Sequence, residues 1–146
     1  AGGIATGRGM LAAMALGADG VQIGTRFALS AESSAHEAFK ARCTTLGEGD
    51  TMLCLKKLSP VRLVKNEFYA RVAEAEARGA GVEELRELLG ARRSKRGIFE
   101  GDLAEGELEI GQVASLVRRV EPAGEIVREI ITEFRTAREE VQRWEI

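Results

Sequence analysis

The sequence contains little cysteine and no long apolar run. Its two cysteines, Cys43 and Cys54, lie eleven positions apart and form no C-x-x-C pair, which excludes a disulfide-stapled scaffold. We expect both thiols to be reduced and packed, as in a cytoplasmic protein. No apolar stretch approaches the roughly 20 residues that cross a bilayer. The N-terminus has no basic region followed by a long apolar one, so no signal peptide is predicted.

The sequence also has no excess of either charge. The 21 basic and 23 acidic residues give a formal net charge of -2, which predicts no nucleic-acid partner and no membrane partner. One group of acidic residues has a spacing that matches no calcium-binding loop, so we expect no metal site. These residues are Asp102, Glu105, Glu107 and Glu109.

Glycine, by contrast, is abundant at the start of the chain. Residues 1–9 read AGGIATGRG, which predicts a loop. A short helix is expected over 8–17 and a β-strand over Val21-Gln22-Ile23, the order of an αβ unit in a parallel sheet. The chain opens at a Gly-Gly turn with no initiator Met and no strand before it. We therefore interpret the 146 residues as a fragment, or as one chain of a split protein.

The remainder of the chain is expected to be mainly helical. Ser34-Ala35-His36-Glu37 has the S-x-x-E form of a capping box and predicts a helix over 35–45. A short strand is expected at 51–55. Apolar residues then recur at helical spacing between glycine and proline breaks. The resulting helices are 65–78, 82–90, 110–119 and 123–142, with an ordered loop over 91–108.

Two glycine loops carry the clearest functional signal. Gly3 and Gly24 lie 21 residues apart with one predicted helix between them. In (β/α)8 barrels the loops after the last two strands often build a phosphate site from backbone N–H groups. Glycine allows phosphate oxygens close to those donors, while the Thr25 hydroxyl and the following helical turn would favour an anion. The alternative interpretation is that these glycines only form tight turns between strands and helices.

Four segments resemble the nitronate monooxygenase and enoyl-ACP reductase II family of FMN-dependent proteins. They are A-G-G-I-A-T-G-R-G, L-G-A-D-G-V-Q-I-G-T-R-F, P-V-R-L-V-K-N at 60–66 and E-G-D-L-A-E-G-E-L-E-I-G-Q at 100–112. The resemblance implies an α/β fold, the C-terminal portion of a (β/α)8 TIM barrel followed by an α-helical C-terminal segment. Residues 1–58 would form the last βαβα units with the FMN-phosphate loops, and residues 59–146 the mainly helical segment.

The resemblance also implies a cofactor site. Carried over residue by residue, the FMN contacts fall on Gly2, Gly3, Gln22, Ile23, Gly24 and Thr25. The backbone amides of Gly2, Gly3, Gly24 and Thr25 would hold the phosphate, and Gln22 would face the ribityl chain or the flavin. The family's catalytic His corresponds to a position upstream of Ala1, so no catalytic residue is expected here. His36 does not lie on that motif and is interpreted as a helix-start residue.

Several activities remain open at this point. The family resemblance covers oxidation of alkyl nitronates by FMN and oxygen, and also NAD(P)H-dependent reduction of an enoyl thioester on an acyl-carrier protein. A barrel that binds a nucleotide phosphate, of the inosine-monophosphate dehydrogenase type, shares the first two segments. The chain could also be non-catalytic alone and require the other barrel half, because two strands cannot close a barrel. A homodimer is the other expected assembly.

Two further groups of polar residues have open roles. The basic cluster Arg92, Arg93, Lys95 and Arg96 could steer an acyl-carrier protein or a nicotinamide phosphate, or could be a solvated turn after a helix. Gln112 and Ser115 would face the same way on the predicted helix 110–119. They would either approach a substrate channel or form its polar edge.

Overall fold

A computed structural model of the chain describes residues 1–143. It contains helices and one antiparallel hairpin, in which the strand Thr51–Cys54 (β1) pairs with Val61–Val64 (β2). The α-helices are Gly7–Ala15 (α1), Thr25–Ala28 (α2), Glu37–Thr44 (α3), Glu67–Ala77 (α4), Val82–Leu89 (α5) and Ala123–Gln142 (α6). A π-helical turn at Lys95–Phe99 and a 3-10 helix at Gln112–Leu116 complete the regular elements of the described residues.

Local signals begin and end most of these helices. The Thr6 side chain accepts from the Gly9 N–H to cap α1, and Asn66 caps α4 by accepting from Tyr69. Gly90 ends α5 with a φ of 63°, and Pro122 precedes the first residue of α6. The helices expected over 8–17, 65–78, 82–90 and 123–142 and the strand at 51–55 are therefore confirmed, with small shifts at their ends.

The hairpin separates two apolar clusters. Val64 contributes to a cluster with Phe39 and Cys43, whereas Leu63 and Cys54 belong to a second one with Phe68. Both thiols are free and buried, as expected. Burial raises the pKa of Cys43 to about 12 and that of Cys54 to about 11, so neither is a nucleophile at neutral pH.

The expected division of the chain at residue 58 falls between the two strands of the hairpin, because β1 ends at Cys54 and β2 begins at Val61. Residues 144–146 of the expected second segment lie outside the described residues.

Helices α1 and α6 pack unusually closely at Gly7. A Cβ at that position would stand 2.2 Å from the backbone nitrogen of Phe134 and 2.3 Å from the carbonyl oxygen of Ile130. The Gly7 N–H also donates to the Glu133 carboxylate at 2.8 Å. The helix that follows the first glycine loop is thus fixed directly against α6.

The strand expected at Val21-Gln22-Ile23 is not formed. Residues 18–24 adopt no regular element, and none of the described strands lies beside them to supply a hydrogen-bonded ladder. A β-strand needs such a partner for its N–H and C=O groups. The parallel sheet expected from the αβ order is therefore absent from the part of the chain that the structure describes.

One expected helix cap and one expected helix are wrong. The helix expected over 35–45 is confirmed as Glu37–Thr44, but its cap is His36 rather than Ser34. His36 has an extended backbone (ψ 144°), and its side chain accepts from the Ala38 N–H. The helix expected over 110–119 is only the 3-10 helix 112–116. Before it, Glu109 forms an antiparallel bridge with Leu63 and the Ile110 N–H donates to the Arg62 carbonyl, so this stretch pairs with β2 instead of forming a helical turn. β2 is not among the elements expected from the sequence.

Candidate functional site

The two glycine loops meet at one cavity of about 330 Å³. Every residue that the family resemblance assigned to a cofactor lines it. These residues are Gly2, Gly3, Gln22, Ile23, Gly24 and Thr25, and the wall is completed by Ala1, Ile4, Gly111 and Val113. The volume lies within the size range of small-molecule sites, roughly 300–1,000 Å³.

Glycine is required in the first loop by backbone conformation. Gly2 and Gly3 have φ values of 89° and 73°, in the left-handed region that L-residues rarely adopt. A Cβ added at Gly2, Gly3 or Gly24 would meet no heavy atom of the described residues within 4 Å. The space beside these glycines is therefore free for another molecule.

The cavity wall also carries unpaired backbone donors. Within residues 1–143, the N–H groups of Gly2, Gly3, Gly24 and Thr25 donate to no other backbone group and to no side chain. Backbone N–H groups normally find a partner in protein, water or ligand. Four such donors on two loops around one cavity suit a ligand with several acceptor oxygens.

A third segment closes the site beside Thr25. Gly111 lines the cavity, and a Cβ on it would stand 2.5 Å from the Thr25 hydroxyl oxygen. Thr25 itself is only 9% exposed, so its side chain has little room to move away. Sequence reasoning did not assign Gly111. The only signal in the sequence was that Gly111 lies in E-L-E-I-G-Q, within one of the segments that resemble the family.

Arg26, which follows Thr25, is a second residue that sequence reasoning did not assign. It is only 8% exposed, and its guanidinium donates to the Ala5 carbonyl at 3.2 Å. It also pairs with Glu121 at 3.2 Å and Glu129 at 2.7 Å. An arginine directly after the G-T pair was a visible signal, but its partners lie far along the chain.

His36 is placed away from this cavity. Its Nδ1 accepts from the Ala38 N–H at 3.1 Å at the start of α3, and its ring packs against Gly101. His36 lines none of the described cavities. The structure thus places it as a helix cap, in line with the interpretation as a helix-start residue.

Gln112 and Ser115 line a neighbouring cavity of about 470 Å³. Met52 and Arg62 of the hairpin form the facing wall, and Val113 lines both cavities. The two polar residues are therefore on the cavity side of the 3-10 helix. The substrate channel and the polar helix edge both remain open interpretations of these two residues.

The basic cluster is largely engaged in internal contacts. Arg96 pairs with Asp102 at 2.6 Å and Lys95 with Glu100 at 2.8 Å. Arg93 donates to the Glu105 carbonyl at 2.8 Å and lies over the ring of Phe68. These contacts favour a turn stabilised by its own acidic residues over a free anion-binding surface.

Two searches of the described residues gave negative results. Among residues 1–143, no group of three or more His, Cys, Asp or Glu side chains is arranged to hold a metal ion. No described helix is long and apolar enough to cross a membrane.

Glu107 is expected to make stability depend on pH. Burial, and then the charge of Glu109, raises the pKa of Glu107 to about 7, against a smaller opposing effect of Arg93. The folded protein holds this proton when the unfolded chain has lost it, so stability falls as pH rises from about 4.5 to 7. We expect Glu107→Gln, which mimics the protonated acid, to exceed wild type in stability by about 2 kcal/mol at pH 8 and to match it near pH 4.

Denaturant unfolding of both proteins at several pH values measures this effect. If the free energies of unfolding of the two proteins changed with pH in the same way, Glu107 would not titrate in this range. Glu100→Gln is a suitable control, because Lys95 holds the pKa of that exposed carboxyl below its usual value and no such loss of stability with rising pH is expected.

Comparison with known proteins identifies the family of this chain. Residues 1–133 match the family model described as nitronate monooxygenase. The chain is 30% identical over 155 aligned positions to a nitronate monooxygenase of Neurospora crassa, covering 97% of this chain and 39% of that protein. FabK from Thermotoga maritima superposes with a TM-score of 0.88 at 37% identity, over 97% of this chain and 45% of the other.

A nitroalkane oxidase from Streptomyces ansochromogenes gives a TM-score of 0.71 at 30% identity, over 96% of this chain and 40% of that one. Two of these relatives are named as a monooxygenase and an oxidase. With residues 1–133 matched, the chain belongs to the nitronate monooxygenase family. It spans less than half the length of each of these three relatives.

Proposed function

We propose that the protein containing this chain is an FMN-dependent oxidoreductase of the nitronate monooxygenase type, and that this chain binds the phosphate end of FMN. The observation that carries the proposal is the convergence of six resemblance-assigned residues on one cavity with four unpaired backbone N–H groups. The donor set fits a phosphate, which presents several acceptor oxygens. The fold would then be the C-terminal part of a (β/α)8 barrel with its helical extension.

Different residues of the cavity would contact different parts of FMN. The N–H groups of Gly2, Gly3, Gly24 and Thr25 would donate to phosphate oxygens, and Gln22 and Ile23 would lie beside the ribityl chain or the flavin. FMN supplies the redox chemistry when bound, and the protein supplies orientation and electrostatics. No residue of this chain is assigned to the chemical step, because the family resemblance aligns the catalytic His with a position upstream of Ala1.

The neighbouring cavity favours a second candidate activity. Its volume is about 470 Å³, and Gln112, Ser115 and Met52 line it. Val113 lines both cavities. An elongated substrate would need such a continuation more than a small nitronate would. The second candidate is therefore NAD(P)H-dependent reduction of an enoyl thioester carried by an acyl-carrier protein.

The remaining polypeptide of the longer protein is the proposed partner of this chain. Val21, Ile23 and Phe27 face α6 across an apolar groove of about 160 Å³, and residues 18–24 have no ladder partner in the described part. A neighbouring barrel strand would satisfy both features. Expressed alone, residues 1–146 are expected to lack flavin and activity, whereas co-expression with the complementing segment should restore both. A homodimer of the complete protein is the alternative assembly.

The visible absorption spectrum of the purified full-length protein tests the proposal, with the flavin released by heat identified as FMN. About one bound flavin per protein chain is expected. Oxygen uptake with an alkyl nitronate is the expected activity, and NADH oxidation with a crotonyl thioester would select the second candidate. A colourless protein that cannot be reconstituted with FMN would exclude both.

Gly111 is expected to control the position of the Thr25 hydroxyl. Gly111→Ala places a methyl group where only 2.5 Å separates it from that oxygen, so Thr25 must turn or shift. We expect FMN binding to weaken roughly 10-fold, the effect of one misplaced hydrogen-bond donor in a ligand site. Titration of the apoprotein with FMN, followed by flavin fluorescence, measures the change.

A double-mutant cycle isolates the contact. In a Thr25→Ala background the crowded oxygen is absent, so Gly111→Ala should cause little further loss. Equal losses in both backgrounds would mean that Gly111 affects FMN binding by some route other than Thr25.

A further inference from the structure

Arg26 connects three parts of the chain from a buried position. Its Nη1 donates to the Ala5 carbonyl at 3.2 Å, and its Nη2 donates to Glu121 at 3.2 Å and Glu129 at 2.7 Å. The side chain is 9% exposed. A guanidinium spreads its donors over two separate Nη atoms of a rigid planar fork, so it reaches partners on different segments, whereas a lysine ammonium has all its donors on one atom.

The contact with Ala5 joins the two glycine loops. Arg26 is adjacent to Thr25, and Ala5 lies two residues after Gly3. The hydrogen bond therefore bridges 21 residues of sequence and ties one wall of the cavity to the other. The carboxylates that hold Arg26 belong to α6 and to the segment before it, so the bridge is anchored on the helix against which α1 packs.

The charge of Arg26 is neutralised by the two glutamates with which it pairs. Glu121 and Glu129 also pair with Arg119, at 2.8 Å and 3.7 Å, so two arginines balance two glutamates. Arg26 does not line the glycine-loop cavity. Arg26 therefore does not contact a ligand in that cavity directly. Its contribution is to hold the two loops in place.

We propose that Arg26 is a positioning residue that sets the spacing between the Gly2-Gly3 loop and the Gly24-Thr25 loop, and thereby the selectivity of the site for a phosphorylated flavin. The proposal rests on the proposed FMN function. With the bridge intact, donors from both loops reach the same phosphate. Without it, the loops separate, and the phosphate loses donors while the rest of the flavin keeps its contacts.

Competitive affinity for FMN and riboflavin is the readout that a purely structural role would not move. Full-length apoprotein carrying Arg26→Lys is titrated with each flavin well below its unfolding temperature. Arg26→Lys is expected to weaken FMN binding roughly 10-fold, as loss of a buried charge-assisted hydrogen bond would. Riboflavin binding should change by less than about 2-fold, so the preference for FMN falls.

Arg93→Lys provides a matched control. Arg93 is also poorly exposed, donates to the carbonyls of Leu89 and Glu105 and pairs with a carboxylate, but it lies away from the glycine loops. It should lower the unfolding temperature without changing the FMN-to-riboflavin preference. If Arg26→Lys does not fold, Glu129→Gln serves in its place. That change loosens Arg26 but keeps the Ala5 bond, and a smaller loss of preference is expected.

The outcomes separate this proposal from the proposed function. A wild-type protein that does not prefer FMN over riboflavin overturns the phosphate site itself. A wild-type preference that survives unchanged in Arg26→Lys overturns only the positioning role. A loss of preference in Arg26→Lys that Arg93→Lys does not share supports it.

Discussion

Gly3→Glu is expected to weaken FMN binding roughly 100-fold or more, so that the full-length protein is purified without its yellow colour. Gly3 has a φ of 73°, a conformation that costs an L-residue about 1–2 kcal/mol. Nothing among the described residues lies within 4 Å of a Cβ there, so the new side chain is accommodated next to the cavity. Its carboxylate would then face a phosphate that itself carries about -1.5 to -2 charges.

Two companion variants separate the causes of this effect. Gly3→Gln has the same backbone strain and size but no charge, so the difference from Gly3→Glu measures repulsion of the phosphate. Gly79→Glu introduces the same residue at a φ of 86° in equally open space after α4, away from the cavity. It should lower stability and leave FMN binding intact. FMN affinity that is equal in Gly3→Glu and Gly79→Glu would contradict a phosphate beside Gly3.

Gly7→Ala is expected to destabilise the protein by about 3 kcal/mol, at the upper end of overpacking effects. The new methyl group would lie 2.2 Å from the Phe134 nitrogen and 2.3 Å from the Ile130 oxygen. Both are backbone atoms inside α6 and cannot rotate away, so α1 must move. Movement of α1 also weakens the bond from the Gly7 N–H to Glu133. Chemical denaturation followed by circular dichroism measures the change.

Gly9→Ala is the control within the same helix. Its Cβ would meet only side-chain atoms, Thr6 Oγ1 at 3.3 Å and Ile4 Cγ2 at 3.5 Å. Alanine favours a helix over glycine by up to about 1 kcal/mol, so this variant should be neutral or slightly stabilised. Equal unfolding midpoints for Gly7→Ala and Gly9→Ala would mean that α1 and α6 are not in direct backbone contact.

The parts of the fold that the sequence predicts are those with local causes. The amphipathic spacing of α4, α5 and α6, and the breaks at Gly90 and Pro122, depend on residues within one or two turns. The glycine loops were predicted for the same reason, since positive φ at Gly2 and Gly3 is a property of each residue. Their assignment to FMN rests on the family resemblance and remains a proposal.

The features that the sequence does not predict depend on distant partners. β2 is a strand because Thr51–Cys54 pairs with it and Glu109 bridges to Leu63. The same pairing turns the expected helix start at Ile110 into extended chain. The S-x-x-E pattern at Ser34 does not cap the helix. His36 caps it instead, with an extended backbone whose N–H donates to Ile98, more than sixty residues away in the sequence.

The two additional site residues illustrate the same limit. Gly111 is identified only by its approach to Thr25, and Arg26 only by carboxylates 95 and 103 residues further on. No periodicity or spacing rule connects positions so far apart. Their residue types were visible in the G-T-R and E-I-G-Q runs, but their roles require the folded chain.

The most direct test of the central claim is a crystal structure of the full-length protein with FMN. Phosphate oxygens are expected about 3 Å from the backbone nitrogens of Gly2, Gly3, Gly24 and Thr25, with the flavin leaving the cavity past Gln22. A phosphate bound elsewhere, with only water beside these glycines, would contradict the assignment of this chain as the phosphate-binding part of the enzyme.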